Sequence, residues 1–210
     1  MNNLRFISSF TTGTIYEKVI QDLLVPSLEH WCLPYHIFAK PNLGNWAANS
    51  RQRPLYIKEA MEMFPGENIL WVDADARILK YPDLLFHIPE SIHLGVNYLS
   101  WADHYGRPSD EDKTEILDGT SYYKNCKEMI PFMEEWIERS VRAERNHRLT
   151  LDTMIKEQMD ENLQLFIIPR EYCYIMTRPD GSEPYVPIKY PTIAHFQASR
   201  LARHNLYDKE

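Results

Sequence analysis

Two aspartates separated by one alanine, Asp73-Ala74-Asp75, follow directly on four apolar residues, Ile69-Leu70-Trp71-Val72. Carboxylates at the lip of an apolar run are costly to desolvate unless a cation meets them, and oxygen donors of this kind suit Mg2+ or Mn2+. A bound diphosphate would fill the remaining coordination positions. If the run is a strand, residues two apart point the same way, which puts both carboxylates on one face with Cα atoms ~6.5 Å apart. The competing reading has Asp73 and Asp75 end the strand, cap the next helix and pair with Arg77. An isolated Asp-x-Asp is short and common, so the strand context is what favours the metal.

A diphosphate beside this pair needs positive charge, and Arg51, Arg53 and Lys58 are the densest basic group in the first half of the chain. A solvated helix face explains any one of them equally well. Thr11, Thr12 and Gly13 fall where the loop after a first strand would meet a nucleotide, although turn and capping roles account for the same three residues. Only seven glycines occur, and neither G-x-G-x-x-G nor G-x-x-x-x-G-K-[ST] is present. A phosphate held here is therefore expected to be held by metal rather than by a glycine-rich cradle.

The elements that must position these residues follow from periodicity. The run 69–72, preceded by Gly66-Glu67-Asn68, reads as a parallel strand buried on both faces, its carboxyl end opening on the ligand crevice of an α/β sheet. Leu4 to Phe10 predicts a first strand, and Thr14-Ile15-Tyr16-Glu17 a capping box opening a helix that Pro26 kinks or ends. Tyr35 to Ala39 predicts a second strand, and Ile57, Ala60, Met61 and Phe64 mark a helix before the central strand. Further strands are expected near Ile78-Leu79 and over Ser91 to Tyr98, Gly119 to Tyr123, Leu163 to Pro169 and Pro191 to Phe196. Helices are expected over Pro131 to Arg145 and from Leu149, with Thr150 as cap and Ile155 and Met159 on the apolar side. The polar stretch Trp101 to Glu115 reads as an irregular loop beside the site.

With 210 residues and 44% hydrophobic content the chain can bury one good core, so residues 1–210 are expected to form a single domain. The formal charge of −7 gives no basic footprint, which argues against general nucleic-acid or anionic-membrane binding. Cys32, Cys126 and Cys173 are odd in number and spread without metal spacing, as expected of reduced, buried and inert thiols inside a cell. No stretch approaches the ~20 apolar residues of a membrane span, and the first residues do not open a secretory signal, so the expected location is cytoplasmic.

Taken together, these residues resemble the small GT-A-type glycosyltransferases, which transfer a sugar from a nucleotide diphosphate sugar and carry an Asp-x-Asp motif. The likeness is diffuse but covers most of the chain. It implies an α/β fold: a single GT-A-like, Rossmann-like domain with a mainly parallel central sheet flanked by helices. It gives Thr11, Thr12 and Gly13 a nucleotide-contacting role and makes Asp73 and Asp75 metal ligands. His195, closing the last predicted strand, matches the family's third metal ligand. By position, Arg51, Lys58 and Arg200 become diphosphate partners. Leu117-Asp118-Gly119-Thr120 resembles the donor-and-acceptor strand, and Asp152 the acidic residue near the acceptor hydroxyl, so Asp118 and Asp152 are candidate bases in an inverting reaction. For Asp152 a first-turn carboxylate favoured by the helix dipole stays open.

The implied activity is metal-dependent transfer from a nucleotide diphosphate sugar, first of all a UDP-sugar, to a hydroxyl on a glycan or small molecule. A hydroxylated DNA base is a minority alternative as acceptor. Two rivals remain at this point. A sugar-phosphate nucleotidylyltransferase shares the core but opens with a glycine-rich, arginine-containing loop that Ser8-Ser9-Phe10-Thr11-Thr12 lacks. A non-enzymatic carbohydrate-binding protein would use the 12% aromatic content to stack on sugars.

Overall fold

The structure, a computed structural model, describes residues 3–158 and 163–198. The first unit is a strand, β1 (Leu4–Thr11), a helical segment and a second strand, β2 (Tyr35–Lys40). That helical segment runs through α1 (Ile15–Val19), a π turn (Ile20–Leu24) and α2 (Val25–His30). Pro26 therefore does not end the helix. It sits in the first turn of α2, and the wider π turn before it, closed by Val25 N–H on Ile20 O, accommodates a residue that has no N–H to give. The expected capping box does not form either. The Thr14 hydroxyl donates back to Thr11 O, and Glu17 accepts from Gly13 N rather than from Thr14.

Two helices, α3 (Trp46–Ser50) and α4 (Arg53–Met63), lead to the central strand β3 (Asn68–Val72). Then come β4 (Ala76–Ile78), α5 (Asp83–Phe86), β5 (Ile92–Ser100), α6 (Trp101–Tyr105) and β6 (Thr114–Tyr123). The polar stretch 101–115 is thus not an irregular loop: it holds α6, capped by the Ser100 hydroxyl, and the start of β6. The chain continues through α7 (Met129–Ile137), a π turn (Glu138–Arg142), α8 (His147–Gln158), β7 (Gln164–Ile167), β8 (Tyr174–Ile175) and β9 (Ile193–His195). Helix α8 begins earlier than predicted. Asn146, not Thr150, caps it by accepting from Arg148 N and Leu149 N, while the Thr150 hydroxyl donates to Asn146 O. Met159 lies outside the described residues.

Six strands form the main sheet in the order β2-β1-β3-β6-β5-β7. β1 pairs in parallel with β2 and β3, and β5 with β7, whereas β6 runs antiparallel to both β3 and β5. The central strand thus has one parallel and one antiparallel neighbour. Its side chains alternate as a strand covered on both faces requires. Ile69 and Trp71 join Ile57, Phe132, Trp136 and Leu151 from α4, α7 and α8, while Leu70 and Val72 join Ile20, Leu24 and Leu28 on the other face. A smaller sheet, β4-β9-β8, lies beyond the end of β3 and brings His195 opposite Ala76. The three cysteines are free, and only Cys173 is buried; Cys32 is exposed, against expectation. Among the described residues no helix is long and apolar enough to cross a membrane.

Candidate active site

Strand β3 ends at Val72, and the two aspartates occupy a tight turn into β4, closed by Ala76 N–H on Asp73 O. The carboxylates converge because of this turn and not, as predicted, because they alternate along one strand. Asp73, Asp75 and His195 each offer one ligand atom, and the three atoms lie within 4.8 Å of one another. His195 arrives from β9, whose pairing with β4 sets it beside the turn; its Nδ1 stands 3.9 Å from Asp75 Oδ1.

Each of the three side chains is fixed by groups behind it. Asp73 Oδ1 accepts from Arg53 Nη2 at 2.6 Å and from the Trp71 indole at 2.8 Å, and its backbone N–H donates to Gly119 O. Asp75 Oδ2 accepts from Ala198 N at 2.9 Å. His195 Nε2 lies 2.9 Å from Thr120 Oγ1. Arg53 opens α4 and bridges two acids: its second arm meets both the carboxylate and the backbone carbonyl of Asp118, at 2.8 and 2.9 Å. Its guanidinium also lies 5.0 Å over the Trp71 ring.

The electrostatics follow from this crowding. Loss of water raises the Asp73 carboxyl above the usual range, Arg53 opposes that rise, and the like charge of Asp75 adds to it. Burial alone would favour a neutral His195 ring, yet the Cys173 thiol and the carboxylates of Asp75 and Asp73 push its pKa up to about 10. Asp118 is buried too, but Arg53 and then His147 hold its carboxyl well below the usual range. Asp73, Asp75 and His195 thus crowd two acids and an imidazole into one corner of the site. Their donor set of two carboxylates and one imidazole fits Mg2+ or Mn2+. Gly119 lines the same space, and a Cβ there would stand 3.1 Å from Asp73 Oδ2 and 3.3 Å from His195 Nδ1.

The three side chains lie in a cleft of about 390 Å³ at the carboxyl ends of β1 and β3, within the range of small-ligand sites. Thr11 lines it, with Ser9, Phe10 and Tyr16; Thr12 and Gly13 do not. Of the basic group, Arg53 lines the cleft. Arg51 instead bonds Glu144 O, and Lys58 pairs with Glu62 on the outer side of α4. Asp118 lies in the cleft wall, whereas Asp152 is held by Lys156 and near Tyr98 OH, outside it. Arg200 lies outside the described residues.

Asn146, His147 and Arg148, at the start of α8, form a cleft wall that the sequence reading missed. With α8 expected to begin only at Leu149, they fell in a loop of no assigned role. A signal for Trp71 was present, because it is two residues before Asp73 and shares its side of the chain.

Neither a protein-family model nor a curated protein sequence matches the chain. Solved structures do match it in fold. One is a glycosyltransferase involved in the glycosylation of the major capsid of PBCV-1, with a TM-score of 0.64 and 14% identity over 98% of both chains. Another is the galactosyltransferase LgtC in complex with donor and acceptor sugar analogs, with a TM-score of 0.55 and 9% identity over 92% of this chain and 87% of that one. The glycosyltransferase GlyE of Streptococcus pneumoniae matches with a TM-score of 0.55 and 10% identity over 93% of this chain and 54% of its own. At these identities the likeness is one of fold: the chain has the α/β fold of GT-A glycosyltransferases, with an Asp-x-Asp pair at the end of its central strand.

Proposed function

We propose that the protein is a metal-dependent glycosyltransferase that takes a nucleotide diphosphate sugar, a UDP-sugar being the first donor to test, and passes the sugar to an acceptor hydroxyl. The observation that carries this reading is the meeting of Asp73, Asp75 and His195 in a cleft at the carboxyl ends of two parallel strands. When bound there, Mg2+ or Mn2+ supplies Lewis-acid stabilisation of the diphosphate as its bond to the sugar breaks.

The chain's own residues prepare that step. Arg53 and the Trp71 indole hold one oxygen of Asp73 and leave the other for ligation. Ser9, Phe10, Thr11 and Tyr16 offer the nucleotide a wall beside β1, and the start of α8 faces the sugar and acceptor. Asp118 is a poor base, because Arg53 occupies it and holds it ionised far below neutral pH. We assign it the task of holding Arg53 against Asp73. Asp152, outside the cleft, is not retained as a base.

A thermal-shift panel of nucleotide diphosphate sugars with and without Mn2+ tests the proposal. The expected result is a rise in melting temperature that requires both the cation and one nucleotide base. Stabilisation by glycans with no nucleotide dependence, or release of pyrophosphate from a nucleoside triphosphate, overturns it.

A further inference from the structure

Each of the three side chains offers a cation two atoms, and its surroundings narrow the choice to one. Asp73 Oδ1 is taken by Arg53 and Trp71. Asp75 Oδ2 is taken by the backbone of Ala198. His195 Nε2 is taken by Thr120. The other oxygen of each aspartate and the other ring nitrogen lie close together: Asp75 Oδ1 and His195 Nδ1 are 3.9 Å apart, and Asp73 Oδ2 and His195 Nδ1 both border the space where Gly119 lacks a Cβ.

We infer that the cation is held through Asp73 Oδ2, Asp75 Oδ1 and His195 Nδ1, and that Thr120 and Gly119 are the positioning residues that make this set available. This rests on the metal-dependent reading and adds the selection of atoms to it. Thr120 is fully buried on β6 with its Oγ1 2.9 Å from His195 Nε2; with the ring proton on Nε2 the hydroxyl accepts it, and the Nδ1 lone pair is left for metal. Partners of this kind behind a metal-bound histidine fix both tautomer and ring orientation. Gly119, one residue earlier on the same strand, does two things. Its carbonyl ties down the Asp73 backbone, and its bare Cα leaves room between Asp73 Oδ2 and the His195 ring. Asp118, one residue earlier again, anchors the arginine that occupies Asp73 Oδ1. Three consecutive residues of β6 thus organise two of the three ligands without ligating anything themselves.

The test is Mn2+ affinity, read by the electron paramagnetic resonance of free Mn2+, for wild type, Thr120→Val, Thr120→Ser and Gly119→Ala. Thr120→Val is expected to weaken binding about 10–100-fold, as loss of such a partner does elsewhere, and Thr120→Ser to restore it. Gly119→Ala is expected to weaken it also, by pushing His195 off Asp73. In the Mg2+-loaded wild type, 15N spectra of the histidine rings should show the His195 proton on Nε2. A proton on Nδ1, or a folded Thr120→Val that binds Mn2+ like wild type, overturns the inference and leaves the metal-dependent reading standing. A wild type that takes up no Mn2+ overturns both. The ring spectrum needs no substitution, so a variant that fails to fold does not shield the inference.

Discussion

Asp118 lies between Arg53, 2.8 Å away, and the His147 imidazole, 3.2 Å away, with almost none of its surface exposed. Its folded pKa is depressed below the ~3.9 of an unfolded aspartate. Its pairing therefore stabilises the fold above about pH 4, and that contribution is lost as pH falls toward and through the depressed value. Asp118→Asn should cost about 3 kcal/mol near neutral pH, because it leaves Arg53 buried with one acid fewer. The gap from wild type should shrink steadily below about pH 4; urea midpoints across that range check both size and direction. At this scale the Asp-x-Asp pair was legible from residue type and spacing, and His195 only through the family resemblance; the structure brings the three side chains together. The sequence was not legible where reach decides. Arg51, Arg53 and Lys58 look alike as a basic group, but helix α4 turns Lys58 outward onto Glu62 and leaves only Arg53 at the cleft.

Among the elements, α8 shows how a boundary shift of a few residues hides part of a site. Asn146 accepts two backbone N–H groups of its first turn, and Trp136 reaches from α7 to donate to His147 O at 2.9 Å. Both contacts hold the wall of Asn146, His147 and Arg148 at the cleft. Asn146→Ala should lower stability by about 1 kcal/mol, as loss of a helix cap does, read as a lower urea midpoint with unchanged slope. The apolar periodicity that revealed β1, β2, β3 and α4 arises from burial, so it marks where elements exist. It says little about caps and turns, which depend on single hydrogen bonds. Thr14 and Thr150 were read as caps from residue type, and both hydroxyls instead donate to backbone carbonyls. The Asp73–Ala76 turn was missed for the same reason: its geometry rests on one backbone bond that leaves no mark in the residue pattern.

For the molecule as a whole, the candidate metal site joins the main sheet to the small one. Asp73 and Asp75 hang from the end of β3, while His195 belongs to β9 and meets β6 at Thr120. A cation bound by all three binds the native state alone, so Mn2+ at one hundred times its dissociation constant should raise the unfolding free energy by about 2.7 kcal/mol. Urea unfolding with Mn2+ and with EDTA measures it. Asp75→Asn should abolish the increment. In EDTA the same variant should stay close to wild type in stability, since the loss of its pairing with His195 is offset by removal of the like charge beside Asp73, while its side chain can still accept from Ala198 N.

The pairing of β4 with β9 also has a bearing on biosynthesis. The aspartate turn is made early, and its histidine is among the last described residues to be translated. A nascent chain carries two neighbouring acids with no imidazole until β9 leaves the ribosome. Cation capture through all three side chains thus has to wait for β9, and a chain cut before that strand would lack the imidazole donor.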